Sequence, residues 1–164
     1  LLPQRDYNRR VLDSLESFTK EQQPSTPSFL YAHLLMPHYP YFFDSLGNQL
    51  PEDSVFSEPL IRNREKFREY ITYTNAQLEK IIDGLLKSSG GKAVIILQSD
   101  HGWDDFEPRS KKDAFRNYTA IYFPDGNYKD LYPEMTNVNT FRTVLNKYFG
   151  QQLSMLPDKS YYIP

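Results

Sequence analysis

Ala93-Val94-Ile95-Ile96-Leu97-Gln98-Ser99-Asp100-His101-Gly102 is the stretch on which the fold turns. Val94 to Leu97 are apolar, largely β-branched, and do not alternate with polar residues, so they predict a strand buried on both faces. The run stops abruptly at an acid, an imidazole and a glycine. Burying Asp100 and His101 at the end of such a strand is costly unless something neutralises or coordinates them. In open α/β sheets the carboxyl ends of strands are where ligands bind. Gly102 lets the chain turn sharply and approach whatever is bound there. An adjacent carboxylate and imidazole can supply one oxygen and one nitrogen to a metal ion. Asp-His-Gly is also ordinary turn chemistry, so these residues alone leave a polar turn and a metal half-site both open.

On the amino-terminal side of that stretch, Phe67, Ile71, Thr74, Leu78, Ile82 and Leu85 keep a helical stripe. Pro59 sits near the first turn of this long helix, and Gly90-Gly91 stops it. Residues 41–58 read as a loop with its turn at Asp44-Ser45-Leu46-Gly47-Asn48. Phe29 to Leu35 predict a second buried strand, ended by Met36-Pro37-His38-Tyr39-Pro40, whose prolines forbid an interior strand. Residues 7–22 predict a short amphipathic helix with Val11, Leu15 and Phe18 on one face, broken by Pro24 and Pro27. On the other side follow a polar loop from Trp103 to Asn117, a strand near Tyr118–Phe123, a turn at Pro124-Asp125-Gly126, and a helix from about Asn137 to Phe149 closed by Gly150. Strand, long helix, strand is a βαβ unit, which predicts a parallel pair with a right-handed crossover.

Composition narrows the function classes. The chain has 164 residues, the size of one ordinary domain. Lys plus Arg number 19 against 21 Asp plus Glu, a net charge of −2, so no strong field for nucleic acid or an anionic membrane follows. Thirteen Tyr and 11 Phe supply a packed core despite a negative mean hydropathy, which argues against disorder. With no cysteine, disulfides and Cys-ligated zinc are excluded. No apolar run approaches the length of about 18 residues needed for a membrane span. The first residue is Leu1 rather than Met, which predicts a fragment whose targeting segment lies upstream.

The three histidines are His33, His38 and His101. A parallel βαβ unit brings both strand carboxyl ends to one sheet edge, so His38 and Asp100 are expected on one rim despite their separation in sequence. His38, between two prolines, is rigidly presented in a way that suits contact with an anionic substrate. His33 lies within the predicted strand and is the weaker candidate, since a histidine there also reads as a satisfied core residue.

Tyr31-Ala-His-Leu-Leu-Met-Pro-His-Tyr-Pro-Tyr41 and Gln98-Ser-Asp-His-Gly102 resemble the alkaline phosphatase superfamily. The likeness is closest to its sulfatase-like branch of bacterial membrane-anchored enzymes, similar to lipoteichoic acid synthases and phosphoethanolamine transferases. It continues through residues 73–78, 120–124, 137–142 and 148–150, and so covers most of the chain. The resemblance implies a fold class of α/β type. This chain would be the C-terminal part (residues 1–164) of a three-layer α/β/α sandwich with a mostly parallel sheet, whose N-terminal part lies upstream.

Carried over residue by residue, the resemblance makes Asp100 and His101 the late pair of metal ligands, and His38 the histidine contacting the sulfate or phosphate group. His33, Lys111 and Lys112, with Arg109 nearby, are further substrate-binding candidates, although such a basic run also reads as a solvated loop. The family nucleophile (Ser, Thr or modified Cys) and an early acidic ligand would precede Leu1. Ser99 adjoins the metal pair, but strand alternation turns its side chain away from the rim. No histidine follows His101, which favours one metal ion over a two-zinc site.

In the complete enzyme the resemblance implies one divalent ion, Mn²⁺ or Mg²⁺ favoured and Ca²⁺ or Zn²⁺ open, clamping the nucleophile and an ester oxygen. His38 would bind a non-bridging oxygen or protonate the leaving group. A covalent phospho- or sulfo-enzyme would then be resolved by water or an acceptor alcohol. Substrates would be sulfate or phosphate esters, including those of glycans or lipid head groups. The enzyme would stand at the extracytoplasmic face of a bacterial membrane, held there through upstream segments. The rival expectation is a non-catalytic partial or degenerate domain that only binds metal, an anion or a partner. Either way, a free fragment would expose apolar surface and associate with the upstream half or with itself.

Overall fold

A computed structural model of the chain describes residues 2–21, 26–56, 63–102 and 111–161. The chain divides into two compact units, Leu1–Ala93 and Val94–Pro164.

The first unit is built on two helices, α1 (Leu2–Lys20) and α3 (Arg64–Ser88), with a one-turn helix α2 (Glu52–Val55) between them. α1 starts five residues before the expected boundary, because Pro3 falls in the first turn, where its missing N–H leaves no helical bond unmade. α1 and α3 pack together around Leu15 and Ile81, and the Glu16 carboxylate joins Lys20 (2.7 Å) to Lys80 (3.0 Å). α3 begins one residue after Asn63, whose side chain accepts from the Glu65 and Lys66 N–H groups at 3.0 Å each. Pro59 lies outside the described residues. The helix ends as expected at the glycine pair. Gly90 (φ 59°) donates to Lys87 O and Gly91 (φ 73°) to Leu86 O, the Schellman arrangement that occupies the last carbonyls.

The most buried face of α3 is Tyr70, Thr74 and Ile81, whereas Ile71, Leu78, Ile82 and Leu85 of the expected stripe are half-buried. The partner that selects this face is an aromatic run. Tyr41, Phe42 and Phe43 are buried. Tyr41 meets Phe67 and Tyr70 at ring centroid distances of 6.0 and 5.9 Å, and Phe43 meets Tyr73 at 5.0 Å. The Asp44–Asn48 turn forms as read, with Asp44 Oδ1 accepting from the Leu46 and Asn48 N–H groups.

The expected strand at Phe29–Leu35 does not form. This segment is extended without a ladder, and Phe29, Leu30, Tyr31, Ala32 and His33 are exposed. Its backbone is tied instead to α1 side chains. The Tyr7 hydroxyl donates to His33 O (3.0 Å), Leu35 N–H donates to Asn8 Oδ1 (2.9 Å), and the Gln4 amide donates to Tyr39 O (3.4 Å). The parallel βαβ pair expected from it is therefore not observed among the described residues.

The second unit contains β1 (Ile95–Gln98), a one-turn helix α4 (Lys111–Ala114), β2 (Thr119–Tyr122) and α5 (Asn137–Tyr148). β1 and β2 pair antiparallel, with Ile95 opposite Tyr122 and Gln98 opposite Thr119. The four β1 residues are half-buried rather than enclosed on both faces. Phe123, just past β2, is 1% exposed and packs against Tyr128 and Tyr148. The Asp125 carboxylate in the following turn holds Lys147 at 2.7 Å, and this bond lowers its pKa. Both elements and their neighbours make the chain α/β in content, with a two-stranded sheet as its described β-structure.

The segment after Gly150 is extended yet closely held by α5. Asn146 exchanges two hydrogen bonds with the Leu153 backbone (2.7 and 2.9 Å), and Asn139 does the same with Leu156 (both 2.9 Å). Arg142 donates to Ser154 O between them. Asp158 then accepts from the N–H and hydroxyl of Thr136, the residue that precedes α5, and from the Tyr132 hydroxyl.

Candidate functional site

Asp100 and His101 lie on the turn that leaves β1, side by side and open to solvent, with side chains 85% and 55% exposed. Asp100 Oδ1 accepts from the His101 backbone N–H at 3.0 Å, which pins the carboxylate across the turn. His101 Nδ1 donates to Gly102 O at 2.6 Å, and in the neutral ring with this tautomer Nε2 is the nitrogen with the lone pair. Nε2 and Asp100 Oδ2 stand 3.8 Å apart. That separation is less than two metal–ligand bonds of about 2.1 Å each, and an imidazole whose Nδ1–H is held by a backbone carbonyl is the usual state of a metal-binding histidine. The two donors present therefore fit a divalent ion. Among the described residues no third His, Cys, Asp or Glu joins them in a cluster.

Gly102 is explained by this chain's own backbone. Its N–H donates to Ala114 O at 2.7 Å, and a Cβ here would lie 2.0 Å from Asp113 O and 2.7 Å from Arg116 O. The glycine expected to admit a ligand thus admits the carbonyls of α4 and the residues after it. Ser99 is occupied structurally, since its hydroxyl oxygen accepts from Tyr118 N–H at 2.7 Å while its own N–H donates to Tyr118 O at 2.9 Å.

Behind the pair lies a group of amides and hydroxyls that sequence reasoning missed. The Gln98 amide donates to Asn137 Oδ1 and Thr140 Oγ1 (2.9 Å each) and to Thr119 Oγ1 (3.2 Å). The carbonyl of Ser99, immediately before Asp100, accepts from Asn137 Nδ2 (3.1 Å) and Asn117 Nδ2 (3.3 Å). The signal available was Gln98 itself, a polar side chain closing an apolar strand and so in need of buried partners.

His33 and His38 belong to the first unit, and both are exposed. His38 stands between two cis peptide bonds, Met36–Pro37 and Tyr39–Pro40. Its N–H closes a turn on Leu35 O (2.9 Å), and its Nδ1 is bonded to Tyr39 O, which leaves Nε2 facing away from that bond. His33 contributes its carbonyl to Tyr7, a backbone role. Lys112 is exposed on α4; Arg109 and the side chain of Lys111 lie outside the described part.

The family model described as Sulfatase matches residues 3–144, which span both units and include His38, Asp100 and His101. The chain belongs to the sulfatase family. No curated protein matches it, and no solved structure does. For a sulfatase-family chain, a hydrolase-like or transferase-like activity and a divalent metal are in keeping with the family, and sulfate esters are its kind of substrate.

Proposed function

We propose that this chain is the C-terminal part of the catalytic domain of a metal-dependent sulfatase-like hydrolase or phospho-group transferase. The observation that carries the reading is the Asp100–His101 pair, with Nδ1 of the imidazole held by Gly102 O and Nε2 set 3.8 Å from the carboxylate oxygen. Asp100 Oδ2 and His101 Nε2 would hold one divalent ion, Mn²⁺ or Mg²⁺ by preference. When bound, that ion supplies charge neutralisation at the ester's non-bridging oxygen and lowers the pKa of the attacking group. His38, through Nε2, binds a non-bridging oxygen of the substrate or donates the proton to the leaving alcohol. Lys112, Lys111 and His33 serve as secondary contacts for the anionic group.

The remaining parts of this reading go with it. A segment outside residues 1–164 supplies the nucleophile and the early acidic ligand, and completes a three-layer sandwich. The exposed apolar side chains of Leu30 and Tyr31, on a stretch that forms no ladder, support this, because such surface promotes association. The branch is the bacterial membrane-anchored one, with the catalytic domain on the extracytoplasmic face. No helix among the described residues is long and apolar enough to cross a membrane; the anchor is taken from the resemblance to that branch.

The test is an assay of the full-length gene product on 4-nitrophenyl sulfate and 4-nitrophenyl phosphate, before and after chelation and with Mn²⁺, Mg²⁺, Ca²⁺ or Zn²⁺ restored. Metal-dependent turnover of either ester, reduced at least about a hundredfold by Asp100→Asn, His101→Gln and His38→Ala, is the expected result. Absence of turnover on both esters, or turnover indifferent to the Asp100 and His101 substitutions, overturns it.

A further inference from the structure

We propose that Asn137 is a positioning residue for the Asp100–His101 pair. This inference rests on the reading of that pair as a metal half-site. Asp100 is reached from β1 through a single peptide, that of Ser99, and the carbonyl of this peptide is the last backbone group before the exposed turn. Asn137 Nδ2 donates to it at 3.1 Å, and Asn117 Nδ2 adds a second bond at 3.3 Å. Asn137 is itself immobilised, since its Oδ1 accepts from Gln98 at 2.9 Å and also from Asn117, while Gln98 is tied to Thr140, a fully buried residue of α5. One side chain thus joins the first turn of α5, the end of β1 and Asn117, two residues before β2, at the point where the turn departs.

The chemistry of the pair demands such a clamp. Among the described residues, Asp100 and His101 are held by bonds within their own turn, from His101 N–H to Asp100 Oδ1 and from His101 Nδ1 to Gly102 O. Both are exposed, so packing does not orient them. What orients them is the plane of the Ser99–Asp100 peptide, and Asn137 sets that plane. Groups behind a ligand that hold it in place typically contribute 10- to 100-fold in metal affinity.

The experiment is a Mn²⁺ titration of the whole chain followed by NMR, reading the paramagnetic broadening of the Asp100 amide and the His101 ring protons. Wild type is compared with Asn137→Ala, Asn137→Ser and, as a matched control, Asn146→Ala, which removes an asparagine from the far end of the same helix. Amide exchange at Ser99 is recorded on the same samples. The proposal expects the Mn²⁺ concentration for half-broadening to rise about tenfold or more in both Asn137 variants and to stay put in Asn146→Ala. It also expects Ser99 exchange to accelerate only in the Asn137 variants. Equal Mn²⁺ affinity in wild type and a folded Asn137 variant overturns the positioning role and leaves the metal reading standing. If Asn137→Ala does not fold, Asn137→Ser decides by the same criterion. Absence of broadening at Asp100 and His101 in wild type overturns the metal reading, and this inference with it.

Discussion

Gly102 carries the tightest steric demand near the candidate site. A methyl group there would overlap Asp113 O at 2.0 Å, so Gly102→Ala must push α4 away or bend the Asp100–His101 turn. Overpacking of this kind costs about 1–3 kcal/mol. Thermal unfolding of Gly102→Ala should show a loss in that range together with displaced His101 ring resonances, and an unshifted melt would mean that the 113–116 backbone gives way freely. Asp158 offers a pH-dependent counterpart. Bonds from the Tyr132 hydroxyl, then from Thr136, hold its pKa down at about 2 against an ordinary value of 3.8. A carboxylate with a depressed folded pKa adds stability above its unfolded pKa and loses it as pH falls towards the folded one. The bond to Thr136 N–H should therefore persist at neutral pH and weaken between about pH 4 and pH 2, seen as faster Thr136 amide exchange. Asp158→Asn should remove that acid dependence. An unchanged pH profile in the variant would assign the acid response to another group. At this scale the sequence located the Asp100–His101 turn, because an acid, an imidazole and a glycine end an apolar strand. It was misleading about Gly102, whose crowding comes from residues 11 and more positions away.

Elements depend on partners as well as propensity. Phe29–Leu35 has the composition of a strand, yet strands need a second backbone to receive their N–H and C=O groups. Tyr7 and Asn8 of α1 meet part of that demand, so the segment runs extended beside a helix. The tail beyond Gly150 shows the same principle with opposite composition. It is polar and unremarkable in sequence, but Asn139 and Asn146, seven residues apart and so on one face of α5, each pair with a backbone as a neighbouring strand would. Asn139 is fully buried, and Asn139→Ala leaves Leu156 N–H and the Asp158 carboxylate without it, a loss of about 1–3 kcal/mol. Limited proteolysis should then cut within 151–158 markedly faster than in wild type, and an unaltered cleavage rate would show the tail to be held by other contacts. The helices were largely legible, since a 3.6-residue period and end signals such as Asn63 and Gly90-Gly91 are local. The buried face of α3 was not, because it is chosen by Tyr41 and Phe43 more than twenty residues before it.

For the molecule as a whole, the surface near residue 30 matters most. Leu30 and Tyr31 are 45% and 74% exposed, and Leu46 is 85% exposed. Extended apolar backbone of this kind promotes association. The chain alone is expected to self-associate with rising concentration in sedimentation velocity. The double substitution Leu30→Ser, Tyr31→Ser should reduce that association while changing unfolding free energy by no more than about 0.5 kcal/mol. A monomer at all concentrations, or association indifferent to the substitution, would remove this segment as a contact surface. The family assignment sits at the same scale, since its match runs from residue 3 to residue 144 and so draws on both units.

The sequence by itself determined the family, the α/β content, five of the main elements and the Asp100–His101 turn. Each of these is encoded in short-range order: hydrophobic period, end signals, and adjacent donors of fixed chemical type. Tertiary structure decided the rest. It made β1 and β2 an antiparallel pair, left Phe29–Leu35 without a ladder, put the carbonyls of 113 and 116 against Gly102, and brought Gln98, Asn117 and Asn137 together behind Ser99. These outcomes depend on which backbone and amide groups meet across long stretches of chain. A hydrogen bond is specified by the position of both its partners, and one sequence position carries information about only one of them.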